Sequence, residues 1–400
     1  MAAAMTQRNT RAVAAAIGGM IAMAVGIGVG RFVYTPILPP MITALGLSKA
    51  TAGLIASANF AGYLIGALGA ARAPMPGPRR VWLLGALAAS AATTCAMGLT
   101  DNVLGFLALR FLGGVASALA LILATALVLD RLAEARRPGL SAVHFAGVGV
   151  GIAVSAALVA ALGAHGLGWD SMWLGSGLIS VLGLAAVASI LPGGADPAMV
   201  PTVAGTMTRD PRLRRMTIAY GLFGFGYVIT ATFLVTIVRA EVRSLEPVIW
   251  VMVGLGAAPS VWFWGFLGRR IGTAPAFGAA ALIEAVGVLA SVASGGVLSV
   301  CLGAMLLGGT FMGLTALGLT RARELARGDA RRAMAAMTGA FGAGQIVGPV
   351  IAGVLSDALG GFAVPSAMAA AGLVLAGWLA LPSKCHDGPK SATHDLPNRY

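Results

Sequence analysis

Arg31 stands in "GVGRFVYTPILPPM", residues 28 to 41, behind a run from Ala12 to Gly30 that carries no charge. A guanidinium presents planar, paired donors that fit a carboxylate two hydrogen bonds at a time. Few other side chains within the apolar runs can do chemistry. Arg110 is a second cation, Glu284 is the one acid near the centre of an apolar run, and His144 lies just inside another. Tyr34 sits one helical turn from Arg31. Asn59 and Tyr63 share a helix face at i, i+4, and Tyr220, Tyr227 and Thr230 gather on one run. The chemistry within reach is capture of an anion by the arginine fork, hydrogen bonding by hydroxyl and amide groups, and proton uptake at Glu284. A charge in mid-membrane costs about 2.5 to 3.5 kcal/mol on insertion scales, so such residues are candidates for function.

Arg31 has two readings. In one, the first span ends at Gly30, Arg31 snorkels to the interface, and "FVYTPILPPMITALGL" becomes an apolar loop. In the other, a long proline-bent span continues to about Leu45 and holds Arg31 near mid-depth. The second is favoured, because the first exposes a large apolar loop to water. The candidate binding residues are then Arg31, Tyr34, Asn59, Tyr63, Arg110, Tyr227 and Thr230, with Glu284 as the candidate coupling residue. Aromatic packing competes for the tyrosines, and a structural hydrogen bond competes for Glu284. His144 reads as a packing or interface histidine.

The elements that position these residues are membrane helices. Hydrophobic residues make up 58% of the chain, charged residues 10%, and mean hydropathy is +0.89. An average soluble domain is roughly 45–50% apolar and 25% charged. Apolar stretches of helical length recur at 12–44, 50–71, 80–99, 102–129, 140–163, 171–191, 214–238, 247–267, 273–294, 297–320, 334–356 and 362–381, and they lack the polar alternation of barrel strands. The fold class is therefore all-α, an integral membrane protein of twelve spans. The N-terminal segment, with Arg8 and Arg11 before its apolar run, reads as a retained first span because no cleavage site leads into a polar domain.

The net charge of +13 follows topology. Of the 27 Lys and Arg, 22 fall on one side of the twelve spans and only Lys49, Arg239 and Arg243 on the other, with Arg31 and Arg110 inside. The positive-inside rule then places both termini in the cytoplasm of a cell whose inner membrane the chain spans, and the charge does not point to nucleic acid. Cys95, Cys301 and Cys385 show no disulfide or zinc spacing, and no phosphate-binding glycine loop, metal-ligand set or paired acids mark a cofactor or an active site. The expected partners are the lipid bilayer, a small-molecule substrate and protons, with no cofactor, no metal and no catalytic residue, in a monomer.

The halves repeat. "GVGRFVYT" from residue 28 matches "GFGYVIT" from residue 224, an offset of 196 that also relates Gly69 to Gly265 and Phe145 to Phe341, while Gly113-Gly114 answers Gly308-Gly309 one residue off. Six spans per repeat make the halves parallel. The expected organisation is an N-terminal six-helix bundle at 1–191, a cytoplasmic linker at 192–213, a C-terminal bundle at 214–382 and a tail at 383–400.

Several stretches carry a family resemblance. Gly30, Pro36 and Pro39 resemble the first-helix motif of the major facilitator superfamily, "RFLGGVASA" from Arg110 its fourth-helix motif, and "WGFLGRRIG" its cytoplasmic loop motif, with Arg269 where an acid is usual. "GQIVGPVIAG", residues 344 to 353, is similar to the antiporter motif of helix 5 but stands here in span 11. "GRFVYTPILPPM" with "AGLIASANFAGYLIGAL" resembles the YbfB/YjiJ branch. The resemblance implies two six-helix bundles rocking around a midplane site, as in a secondary transporter driven by a gradient, most naturally protons. It leaves import and export open. A membrane receptor or enzyme is the alternative reading, and its polar constellation is missing from the sequence. Two intramembrane arginines against one glutamate suggest an organic anion, with Arg31 holding its carboxylate or accepting an internal acid in its absence.

Overall fold

The computed structural model describes residues 2–72, 75–191, 210–293, 296–326 and 330–381. The expected linker lies outside these up to residue 209, and the expected tail lies outside them entirely. Among the described residues the chain is helical throughout, and twelve helices are long and apolar enough to cross a membrane. They are α1 (Asn9–Leu45), α2 (Lys49–Ala71), α3 (Arg79–Met97), α4 (Val103–Glu134), α5 (Pro138–Ala164), α6 (Trp169–Ile190), α7 (Pro211–Glu241), α8 (Arg243–Ile271), α9 (Thr273–Ala290), α10 (Gly296–Leu325), α11 (Arg332–Leu359) and α12 (Ala363–Ala380). Local chemistry starts and stops them. Asn102 Oδ1 accepts from Leu104 N at 2.8 Å to cap α4, and Asp210 Oδ1 accepts from Arg212 N at 2.8 Å to cap α7 ahead of Pro211. Gly46, at φ +63°, ends α1 in the left-handed conformation that glycine adopts without strain.

α1 runs through to Leu45, so the long-span reading of its sequence holds. Its 37 residues amount to roughly 55 Å of helix, far more than a bilayer core needs, and the helix is irregular where the excess is absorbed. Residues Ala24–Val29 wind as a π-helix, and Pro36, Pro39 and Pro40 follow. Pro36 has no N–H for the Phe32 carbonyl four residues earlier, and Trp250 Nε1 of α8 donates to that oxygen at 3.2 Å.

Glycine sets how closely the helices cross. A side chain at Gly147 or Gly151 of α5 would collide with the α1 backbone at Met20 and Ala24, and one at Gly344 of α11 with the α7 backbone at Gly221. Gly114 of α4 lies against the Asn59 carbonyl of α2, and Gly308 of α10 against the Val253 carbonyl of α8. The same crossings thus recur six helices apart. Lipid gives helices no hydrophobic reason to associate, so close backbone packing of this kind supplies the attraction.

Three further pairs join the first six helices to the last six: α1 with α7, α2 with α11, and α5 with α8. At the end of the bundle that carries the α1–α2 turn, these contacts are tight. Thr35 Oγ1 donates to Ala231 O at 2.7 Å and Ser57 Oγ to Ile346 O at 2.6 Å. The Asp357 carboxylate of α11 accepts from Lys49 N at 3.1 Å and Ala50 N at 2.8 Å, capping α2 from the other half of the chain.

Candidate functional site

A cavity of about 150 Å³ lies among helices from both halves, from the level of Arg31 toward the end where α1 begins and α10 finishes. Its walls include Arg31 of α1, Tyr63 of α2, Phe145 of α5, Tyr227 of α7, Phe311 of α10 and Phe341 of α11. Arg31 is the one charged residue on that lining.

The arginine is 7% exposed. Its guanidinium lies 4.2 Å from the centre of the Tyr63 ring and 4.9 Å from that of Phe60, both on α2. Cation–π contact of this kind is worth up to about 2 kcal/mol when desolvated, and it holds the group against α2. Nε and Nη2, the two donors along one edge of the fork, are buried without an acceptor. Among the described residues no carboxylate forms an ion pair with Arg31.

Arg110 is used differently. Its Nη1 donates to Gly30 O at 3.1 Å and its Nη2 to Arg31 O at 3.0 Å, so it grips the backbone that carries Arg31. Asn59 Nδ2 in turn donates to Arg110 O at 2.9 Å, and Tyr34 donates from its hydroxyl to Ala52 O at 2.8 Å while its ring faces Arg110 at 5.0 Å. Tyr34, Asn59 and Arg110 therefore stand together behind the cavity wall. Thr230 is fully buried, with Oγ1 unpartnered, and is also absent from the lining.

Tyr227 faces the cavity 196 positions after Arg31, the two repeat counterparts meeting on one space. Its hydroxyl accepts a hydrogen bond from Gln345 Nε2 of α11, which leaves the phenolic proton free to be donated. Gln345 is fully buried and was missed by sequence reasoning, although an amide inside an apolar span was itself the available signal. The Tyr227 ring is within 8° of parallel to Phe311 and within 4° of parallel to Phe341, at centroid distances of 5.8 and 5.7 Å.

Glu284 does not reach the cavity. It is fully buried on α9, both carboxyl oxygens without a donor at hydrogen-bonding geometry, beside Thr310 of α10, whose own proton goes to Leu306 O at 2.6 Å. His144 is also fully buried, with Nε2 3.1 Å from Thr125 Oγ1 and its ring edge-on to Phe145 at 4.7 Å. Among the described residues no group of three His, Cys, Asp or Glu side chains gathers as a metal site.

The family described as "Uncharacterised MFS-type transporter YbfB" matches residues 23–381, nearly the whole chain. The chain belongs to that family. No curated protein matches this transporter in sequence. Solved structures share its fold. The nucleoside transporter NupG aligns with a TM-score of 0.70 at 13% identity, over 92% of this chain and 98% of that one. A bacterial homolog of the human lysosomal transporter Spinster, inward-facing and occupied, gives 0.69 at 15% identity over 92% and 94% of the two chains. The human organic anion transporter MFSD10 (TETRAN) gives 0.63 at 18% identity over 93% and 99%. At these identities the likeness shows the fold of the transporter. Its chemistry has to be read from its own cavity.

Proposed function

We propose that the protein is a proton-coupled secondary transporter that carries a small organic anion across the cytoplasmic membrane, as a monomer with both termini in the cytoplasm. The halves 1–191 and 214–382 act as the two rocking bundles, and Arg31 is the group that holds the substrate. The observation that carries this reading is the pair of buried donors on Arg31, Nε and Nη2, with no acceptor, on a guanidinium that lines a cavity between the halves. A buried cation without a counter-ion is destabilising, and an anion that pairs with it recovers free energy. The cost favours a conformational change on binding, which alternating access requires.

The distribution of roles among the other residues is consistent with this. Tyr63 and Tyr227 complete the substrate wall, while Tyr34, Asn59 and Arg110 hold the Arg31 backbone in place. Thr230, buried near the axis of the halves, keeps a free hydroxyl for a state with the cavity rearranged. Glu284, apart from the cavity, is the coupling acid: protonation removes a charge that has no donor in this conformation. The orientation follows from the 22 cationic residues on the side of the termini against three opposite. With the α1–α2 turn end closed by Thr35, Ser57 and Asp357, this conformation faces the cytoplasm.

Uptake of candidate organic acids into proteoliposomes tests the reading. Arg31→Lys should lose nearly as much transport as Arg31→Ala, since lysine keeps the charge but not the planar pair of donors. Normal transport by Arg31→Ala would remove the anion role.

A further inference from the structure

We infer that the substrate is a monocarboxylate whose body is one flat aromatic ring, of the benzoate type. The inference rests on the anion reading above and narrows it. Size comes first. A cavity of about 150 Å³ is large enough for a single benzene ring. The cavity here has that volume, and around Arg31 its walls are Met23, Ile27, Phe32, Leu121 and Val148 together with the aromatic residues already described.

Charge limits the ligand further. Arg31 is the one charged lining residue, and the terminal nitrogens of Arg110 are already committed to the Gly30 and Arg31 carbonyls. One guanidinium neutralises one carboxylate. A second carboxylate would enter an apolar cavity without a partner, at a cost that an internal hydrogen bond does not cover.

Shape comes from the rings. Phe311, Tyr227 and Phe341 reach the cavity from three different helices, yet lie within 8° and 4° of a common plane orientation. Stacking of Tyr227 with each of its two neighbours sets that alignment. A flat guest ring in the same orientation extends the offset stack, at about 0.5 to 1.5 kcal/mol per aromatic pair beyond area burial. Its carboxylate is then within the cavity that Arg31 lines, where rotation of the guanidinium off Tyr63 turns the Nε and Nη2 edge toward it. The Tyr227 phenolic proton, left free by Gln345, supplies one more donor.

Calorimetric titration of the purified full-length protein in detergent tests this, with benzoate, cyclohexanecarboxylate, phthalate and benzyl alcohol as probes. Benzoate should bind at least tenfold tighter than each of the others. Phe311→Leu and Phe341→Leu, made separately and checked for a monodisperse elution profile, should each bring benzoate down toward cyclohexanecarboxylate while leaving the latter nearly unchanged. Equal binding of benzoate and cyclohexanecarboxylate overturns the aromatic claim and leaves the anion reading standing. Benzyl alcohol binding as tightly as benzoate, or benzoate binding undiminished in Arg31→Ala, overturns the anion reading and this inference with it. No binding of benzoate, where larger carboxylates bind, overturns this inference and leaves the anion reading standing.

Discussion

The Thr35 hydroxyl donates to the Ala231 carbonyl at 2.7 Å, and the two residues are 196 positions apart. That separation is the offset of the internal repeat, which carries Gly28 onto Gly224 and Arg31 onto Tyr227. A position that touches its own counterpart lies beside the axis relating the halves. The bond also sits at the closed end of the bundle, so it must break when that end opens.

Thr35→Val removes the hydroxyl at nearly constant volume. Loss of one such hydrogen bond is worth about 1 kcal/mol, or roughly a fivefold shift in a two-state equilibrium. Spin labels on Ser48→Cys and Leu359→Cys should therefore show a larger long-distance population in the Thr35→Val background. An unchanged distance distribution would mean that the bond does not help to hold this end shut.

Asp357 closes the same end by a different device. Its carboxylate receives two backbone N–H groups at the start of α2, where the helix dipole also favours negative charge. Asp357→Asn keeps one acceptor oxygen and loses the charge, so the cap should weaken by about 1 kcal/mol. A cysteine introduced at Ser57, which faces α11 across this contact, should become several-fold more reactive toward an impermeant reagent added from the outer side. Equal reactivity in the presence and absence of Asp357→Asn counts against a closing role.

Arg110 and Arg31 should respond oppositely to removal. Arg110→Met deletes two charge-assisted hydrogen bonds to the carbonyls of Gly30 and Arg31, worth about 1.5 to 3 kcal/mol each, and should lower the melting temperature of the purified protein by several degrees. Arg31→Met deletes a cation with two unpartnered donors and should leave the melting temperature equal or higher. The reverse order of stabilities would show that Arg31 is the structural arginine.

Glu284→Gln keeps the shape of the side chain and cannot take up a proton. In proteoliposomes, the variant should retain exchange of substrate across the membrane but lose the dependence of net uptake on an imposed pH gradient. Identical responses to the gradient in the variant and the parent protein would take Glu284 out of coupling.

Much of this was legible in the sequence, for identifiable reasons. Arg31 could be found because a single charge in an apolar run has no local explanation. The continuation of α1 to Leu45 could be found because the alternative loop was too apolar to face water. The repeat pairs Arg31 with Tyr227, and both line the cavity. What could not be read was the choice of partner. Arg110 and Arg31 carry the same group in similar runs, yet one is spent on carbonyls of α1 between its π-helical turn and its prolines, while the other keeps two donors free. That division depends on which helix faces which, as do the Gln345 bond to Tyr227 and the Asp357 cap on α2. Asp357 stands near the end of α11, and only packing across the halves gives it a partner.

Whether Arg31 holds a carboxylate-bearing substrate is decided by thermal unfolding of the purified protein against a panel of acids, sugars, amino compounds and neutral drugs. At least one carboxylic acid should raise the melting temperature of the parent protein, its amide should not, and Arg31→Met should abolish the rise without lowering the unliganded melting temperature. A rise with the acid that persists undiminished in Arg31→Met would contradict that role.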